Sequence, residues 1–329
     1  MESFRTLLLP APAAFDIFHR NALLLAGSCF TEHIGARLAE RKFDALVNPF
    51  GIVYNPASIA DCLERLLAGN RPFESAELFE NQGLWHSWAH HGHFSKPNRE
   101  QTLEGIQTAY HHAAVFLRRT KYLLITLGTA DVFRLRSNGR IVANNHKMPG
   151  HLFESQRLSV TEITERLGAV LNQIRVLVPD IQVIVSVSPL RHLRAGAVEN
   201  QRSKAALVLA CEALCRDLPY VTYFPAYEIL LDDLRDYRFY AADMIHPSEV
   251  AIDYIWQFFS EMFFSKDTKA LNERIEKVLA GVRHRAFNPD TEAHRAFVRG
   301  QLAAMEGLEK EKGLDFGAER GLLGGFDKG

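Results

Sequence analysis

The stretch NALLLAGS (residues 21–28), followed by CFTEHIGARLAERKF (29–43), decides how this chain folds. Apolar residues run without interruption from Ala22 to Ala26 and stop at Gly27-Ser28. A run of that length suits a strand, and it lacks the polar alternation of a strand with one wet face. Beyond it, Ile34 and Leu38 recur at helical spacing. The opening unit is therefore a buried strand, a Gly-Ser turn and a helix.

The same pattern recurs outward from this unit. FDALVN (43–48) reads as a second strand closed by Pro49-Phe50-Gly51, before a helix over about 56–68 with Asn55 as N-cap and Pro56 at its first position. YLLITLG (122–128), IQVIVSVS (181–188) and residues 220–224 read as further buried strands. Helices are expected over 102–119, from the Ser159/Glu162 capping box to about 177, over 199–217, and over 248–264 after Pro247. Asn138-Gly139, inside VFRLRSNGRIVAN (132–144), predicts a hairpin. Residues 71–100, rich in aromatics and histidines without a period, are expected to form a long loop over the body.

Buried strands alternating with helices predict an α/β fold, a three-layer α/β/α sandwich around a central parallel sheet, spanning residues 1–265. A C-terminal helical extension follows over 266–312, built of charged amphipathic helices. Residues 313–329 hold six glycines in 17 residues and no period, so disorder is expected from Gly313 onward.

Thirty-eight basic residues face 39 acidic ones, a formal net charge of -1. This balance argues against nucleic acid or an anionic membrane surface as the partner, since both select clustered positive charge. Four cysteines make no disulfide framework; Cys211 and Cys215 read as small buried hydrophobes. The three-leucine run at the N-terminus is broken by prolines, too short for a signal or a span. The expectation is a cytoplasmic protein with no membrane partner.

In an open parallel sheet, ligands bind beyond the carboxyl ends of the strands, so the residues just after each strand carry the chemistry. Ser28 opens a helix, where outward N–H groups and the helix dipole favour negative charge; that suits a nucleophile as well as an ordinary N-cap. Asp243 and His246, in AADMIHPS (241–248), are spaced to set carboxylate beside imidazole, leaving Nε2 to take a proton from a hydroxyl. Cys29 is an alternative nucleophile, but lies about 100° further round the helix. WHSWAHHGHF (85–94) carries His86, His90, His91 and His93. His90 and His91 are read as substrate contacts on a cleft-covering loop, in preference to metal ligands, for which the acidic partner is missing. Arg191, His192 and Lys204 follow the fourth strand and suit either an anionic substrate group or salt bridges to the acids in 228–236. No metal and no cofactor is expected.

The segments GSCF (27–30), NPFGIVYNP (48–56), TLGTADVF (126–133), ANNHK (143–147), SPLRH (188–192), ENQRSK (199–204) and FPAYEILLDDLRDYRFYAADMIHPS (224–248) resemble those of the GSCFA-domain family, over roughly residues 1–262. The order of Gly-Ser, later glycine turns and D-x-x-H also resembles the SGNH (GDSL-type) hydrolases. The resemblance implies an SGNH-like fold with flavodoxin-like strand order and hydrolase activity. It makes Ser28 the nucleophile, Asp243 and His246 its partners, and Gly51 an oxyanion donor through its N–H. SGNH enzymes carry Gly-x-Asn-Asp after the third strand; here Gly128-Thr129-Ala130-Asp131 lacks the asparagine. Losing such a donor is worth about 2.7–4 kcal/mol, so Asn144 or the Thr129 hydroxyl is expected to replace it, with Asn144 preferred. The implied activity is a serine ester hydrolase acting on a small-molecule or glycan ester. Transfer to an acceptor by the same route, and ligand binding without turnover, remain open alternatives.

Overall fold

The computed structural model describes residues 6–69, 73–284, 287–288 and 290–323. Its centre is a five-stranded sheet in the order β2 (Ala45–Val47), β1 (Ala22–Gly27), β5 (Thr120–Leu127), β9 (Gln182–Val187), β10 (Val221–Phe224). Every pairing in it is parallel. This is the flavodoxin-like order, whose switch point lies between β1 and β5. Gly27 pairs with Thr126 there, so Ser28 and Gly128 leave the sheet side by side.

The strands are apolar throughout because both faces are covered. Leu24, Leu123, Ile125, Val183 and Val185 face one core, closed by α2 (Pro56–Ala68), α3 (Arg99–Leu117), α4 (Val160–Leu177) and α5 (Ala197–Asp217). Leu23, Leu25, Tyr122, Leu124 and Ile184 face the other, closed by α1 (Cys29–Glu40) and α7 (Glu249–Phe263). Between β10 and α7 lie the short α6 (Ala226–Glu228), a π-helical turn (Ile229–Asp233) and the 240–248 loop. The three-layer sandwich predicted above is the architecture found. Local signals set its helix ends: Asn55 Oδ1 accepts from the Ser58 N–H at 2.8 Å, and Ser159 and Glu162 form their capping box.

Residues 71–100 depart from the expected loop. Within them β3 (Leu78–Asn81) and β4 (Leu84–Ser87) form an antiparallel hairpin. Its two-residue turn, Gln82 (φ 52°) and Gly83 (φ 75°), has the primed geometry that matches strand twist. The Asn138-Gly139 turn joins β6 (Asp131–Leu135) to β7 (Ile141–Val142), and β8 (Phe153–Arg157), unforeseen, pairs with β6 on its other side.

At the C-terminus α8 (Lys266–Arg283), α9 (Glu292–Lys312) and α10 (Gly317–Leu323) share a small core of Ile275, Val278, Val298, Met305, Leu308, Phe316 and Leu323. The disorder expected from Gly313 is overturned as far as Leu323. Phe316 is fully buried, and Lys42 Nζ reaches both carboxylate oxygens of Glu319 at 2.7 and 2.8 Å. Residues 324–329 of that expected tail lie outside the described residues. Thr268 Oγ1 donates to the Ile17 carbonyl at 2.9 Å, tying α8 to the sandwich. Among the described residues no helix is long and apolar enough to cross a membrane.

Candidate active site

Ser28 stands at the N-cap position of α1 with extended backbone, yet its side chain caps nothing. Its N–H continues the ladder to the Thr126 carbonyl at 3.1 Å. The residue is 1% exposed and Oγ has no hydrogen-bond partner. Gly27, at φ 145°, permits this close approach; a Cβ there would lie 2.3 Å from the Thr126 carbonyl oxygen.

Asp243 and His246 lie side by side. Asp243 Oδ1 accepts from the N–H of Ile245 (2.9 Å) and of His246 (3.0 Å), and Oδ2 meets His246 Nδ1 at 2.6 Å. The two backbone N–H groups, then the imidazole, hold the carboxyl down at about 2. The carboxylate is thus ionised at neutral pH and fixes the ring from Nδ1, leaving Nε2 outward. His246 acts electrostatically on His33, in the helix that Ser28 opens, and on His192, whose ring faces Gly128. Arg191, just past β9, ties the loop of His246 to the carboxyl end of the sheet, the end from which Ser28 emerges. Ser28 Oγ is not hydrogen-bonded to His246 here.

The Asp243 loop is held from behind. Arg191 Nη1 donates to the Met244 carbonyl at 2.9 Å, the Arg191 N–H to the Ile245 carbonyl at 3.2 Å, and the guanidinium lies 5.3 Å from the Tyr240 ring centroid. Arg191 is a clamp on this loop. Lys204 is not a free cation. It is 1% exposed and donates to the Gly128 and Ser188 carbonyls, each at 2.7 Å. Burial, then Lys204 and His246, pushes His192 down to about 4, so it is neutral and cannot attract an anion by charge.

Two of the three expected oxyanion donors are committed elsewhere. The Gly51 N–H closes its own turn onto the Asn48 carbonyl at 2.7 Å, which overturns its assignment. Its glycine is needed for another reason: at φ 73°, a Cβ would meet His91 Cβ at 2.4 Å. The Thr129 hydroxyl is shared with Ser203 Oγ at 2.9 Å and with Asp131. Asn144 Oδ1 accepts from the His146 N–H at 2.9 Å, a bond that leaves its Nδ2 donor unused, but Asn144 does not line the cavity beside this edge. Among the described residues, the buried side-chain nitrogens without a partner at this edge are Asn48 Nδ2 and His192 Nε2; the Ser28 and Thr31 hydroxyls are unpartnered as well. Asn48 was invisible as a site residue in the sequence. Its left-handed backbone (φ 44°) turns Oδ1 onto the Gly27 N–H at 2.9 Å.

The histidine-rich segment packs rather than lines a cleft. His90 is 1% exposed, ringed by Phe50, Phe73 and Phe94, with Nδ1 on Ser87 Oγ at 2.9 Å; burial pushes it down to about 3. It has no access to substrate, contrary to expectation. His91 accepts from the His93 N–H through Nδ1 at 3.3 Å, and its backbone bonds Phe50. Cys29 is held protonated, its thiol pushed up by burial and by Glu32, which disfavours it as nucleophile. A cavity of about 640 Å³ opens beside this edge, walled by Tyr54, Thr129, Phe133, Asn145, His192 and Arg194. Asn145, not Asn144, lines it.

Comparison with known proteins follows this geometry. The family model described as GSCFA family matches residues 22–259, and that described as GSCFA domain protein, C-terminal domain, matches residues 275–324. No curated protein matches the chain. Among solved structures, it is similar to a carbohydrate esterase family 3 from Talaromyces cellulolyticus at 10% identity and a TM-score of 0.34, covering 78% of this chain and 99% of that one. It is also similar to an acetyl xylan esterase from the rumen bacterium Butyrivibrio proteoclasticus at 12% identity and a TM-score of 0.38, covering 80% of this chain and 66% of that one. The match across the sandwich, with a second match over the C-terminal helices, places the chain in the GSCFA family.

Proposed function

We propose that the protein is a serine ester hydrolase acting on a small-molecule or glycan ester, with Ser28 as nucleophile, His246 as base and Asp243 as its orienting carboxylate. The observation that carries this reading is the buried, unpartnered Ser28 hydroxyl at the β1–β5 switch point, at the same end of the sheet to which Arg191 ties a loop on which Asp243 and His246 are already paired. His246 Nε2 takes the Ser28 proton as Oγ bonds the carbonyl carbon, and the carbonyl π electrons move onto its oxygen. Collapse of that intermediate expels the alcohol, which takes the proton back from His246. Water, activated in the same way, then releases the acid; an acceptor hydroxyl in place of water gives transfer.

A fluorophosphonate probe tests the reading, because it labels an activated serine and ignores a structural one. Labelling at Ser28 is expected, and Ser28→Ala should abolish both label and aryl-ester turnover. Because Oγ makes no capping bond, that substitution should cost less than the roughly 0.5–2 kcal/mol of a working N-cap. Label on another residue, or full turnover by the variant, would remove Ser28 from the role. Ligand binding without turnover is the second reading, favoured by the engagement of the Gly51 N–H and the Thr129 hydroxyl with other partners. Absence of any label on the native protein would select it.

A further inference from the structure

Ala130 supplies no side-chain donor, the Gly51 N–H and the Thr129 hydroxyl are engaged elsewhere, and Asn144 does not line the cavity beside this edge. Two side-chain nitrogens at the edge are buried and unused, Asn48 Nδ2 and His192 Nε2, and a buried polar atom without a partner calls for an explanation. Cavity size separates them. Asn48 lines an enclosed space of about 10 Å³ walled by Leu24, Ile59 and Leu63, with room for about one water. His192 lines the cavity of about 640 Å³ beside Thr129 and Tyr54, where an ester has room.

We propose that His192, as a neutral imidazole carrying its proton on Nε2, donates a hydrogen bond to the substrate oxygen that becomes negative as Ser28 attacks. This role presupposes Ser28 as nucleophile. Three restraints hold the ring over Gly128. The His192 N–H is held by Asn200 Oδ1 at 2.8 Å. Its ring rests against Tyr54, with centroids 5.4 Å apart, and the Tyr54 carbonyl accepts from the Gly128 N–H at 2.7 Å. Nε2 closes so tightly over Gly128 that a Cβ there would lie 3.1 Å from it and 2.7 Å from Tyr54 Cβ. Gly128 adjoins Ser28 through the Gly27–Thr126 register.

Lys204 completes the device. Its Nζ bridges the Gly128 and Ser188 carbonyls, on the two strand ends that carry the donor. Burial of the His192 ring opposes its protonation, and a neutral imidazole can serve as an electrophilic donor in such a site. His192 would thereby do the work of the asparagine that Ala130 replaces.

The test compares His192→Phe, which keeps a ring against Tyr54 without an N–H, with His192→Gln, which restores a side-chain donor. Hydrolysis of p-nitrophenyl acetate, fluorophosphonate labelling rate and thermal melting are measured for both and for the native protein. His192→Phe should lower kcat about 10²–10³-fold with KM little changed, since the bond strengthens only as charge develops. His192→Gln should recover at least about tenfold of that loss. If His192→Phe does not fold, His192→Leu takes its place. Native-like kcat in the donor-free variant overturns the role, and equal losses in the donor-free and glutamine variants at unchanged melting do so too, pointing to packing. Failure of the native protein to label at Ser28 overturns the nucleophile and this role together. Labelling at Ser28 with an unaffected donor-free variant overturns the role of His192 alone.

Discussion

Asp243 engages three hydrogen atoms with two oxygens, and that arithmetic fixes what it can do. Oδ1 takes two backbone N–H groups and Oδ2 faces His246 Nδ1, so both oxygens of the carboxylate are engaged within the loop itself. Its contribution is to hold a tautomer with the proton on Nδ1. Asp243→Asn keeps the shape but offers an amide N–H to Nδ1, which turns the proton onto Nε2, where a base needs a lone pair. Turnover is expected to fall about 10²–10⁴-fold. Melting should barely move, because the pair is half-exposed and such pairs contribute little to stability. Steady-state ester hydrolysis checks this, and activity within about twofold of native would take His246 out of the mechanism.

At the level of elements, two turns carry the site and each is gripped from β9 or α5. Ser203 Oγ accepts from the Ala130 N–H at 2.8 Å and meets Thr129, while Lys204 takes the Gly128 carbonyl, so α5 holds the turn after β5. Arg191, just past β9, holds the 240–248 loop, which also closes on itself through Ala241 N–H to the His246 carbonyl at 2.7 Å. Met244 there has a left-handed backbone, at φ 57°. Arg191→Ala removes the clamp and leaves the Met244 carbonyl to water. Turnover should drop about tenfold or more, since small misplacements of reacting groups are costly. Amide exchange over 241–246 should rise, and native exchange rates in the variant would refute the clamp. The grips explain why ENQRSK and SPLRH read as informative segments while the purpose of their charges did not. A lysine reads as a cation in sequence, and only packing shows it facing two carbonyls.

Over the whole molecule, burial has disarmed the histidines. His19, His146 and His192 are pushed down to about 4 and His90 to about 3, in each case chiefly by burial. The unfolded chain takes up protons at these positions near the reference value of about 6.5, whereas the folded chain does not until about 4. In that window the unfolded state binds more protons, so stability must fall as pH drops from about 6.5 to 4. Asp243 does not offset this, because its own stabilisation is lost only as pH falls through its lower range toward about 2. Denaturant melts at pH 7.0 and 4.5 should differ by more than about 2 kcal/mol. Equal stability at both values would mean that these rings are protonated inside the fold.

The apolar runs, the caps at Asn55 and Ser159, and the Gly-Ser turn determined the parallel sandwich from the sequence alone, because strand burial and helix ends are local properties. The β3–β4 hairpin escaped because its turn is Gln-Gly, a weaker sign than Asn-Gly, with its histidines obscuring the alternation. Docking of α10 escaped because glycines in a tail say nothing of Phe316 finding a core between α8 and α9. At the site, the sequence singled out Ser28, Asp243 and His246 because their signals are positional: a residue at a strand end, and two residues in one turn. Which donors stay available was decided only by tertiary structure. Gly51 is closed by its own turn, Thr129 is taken by Ser203 from a helix far along the chain, and His90 is sealed by three phenylalanines. His192 is left both unpartnered and beside a cavity large enough for a ligand, because a hydrogen bond is assigned by whichever groups the fold brings within reach.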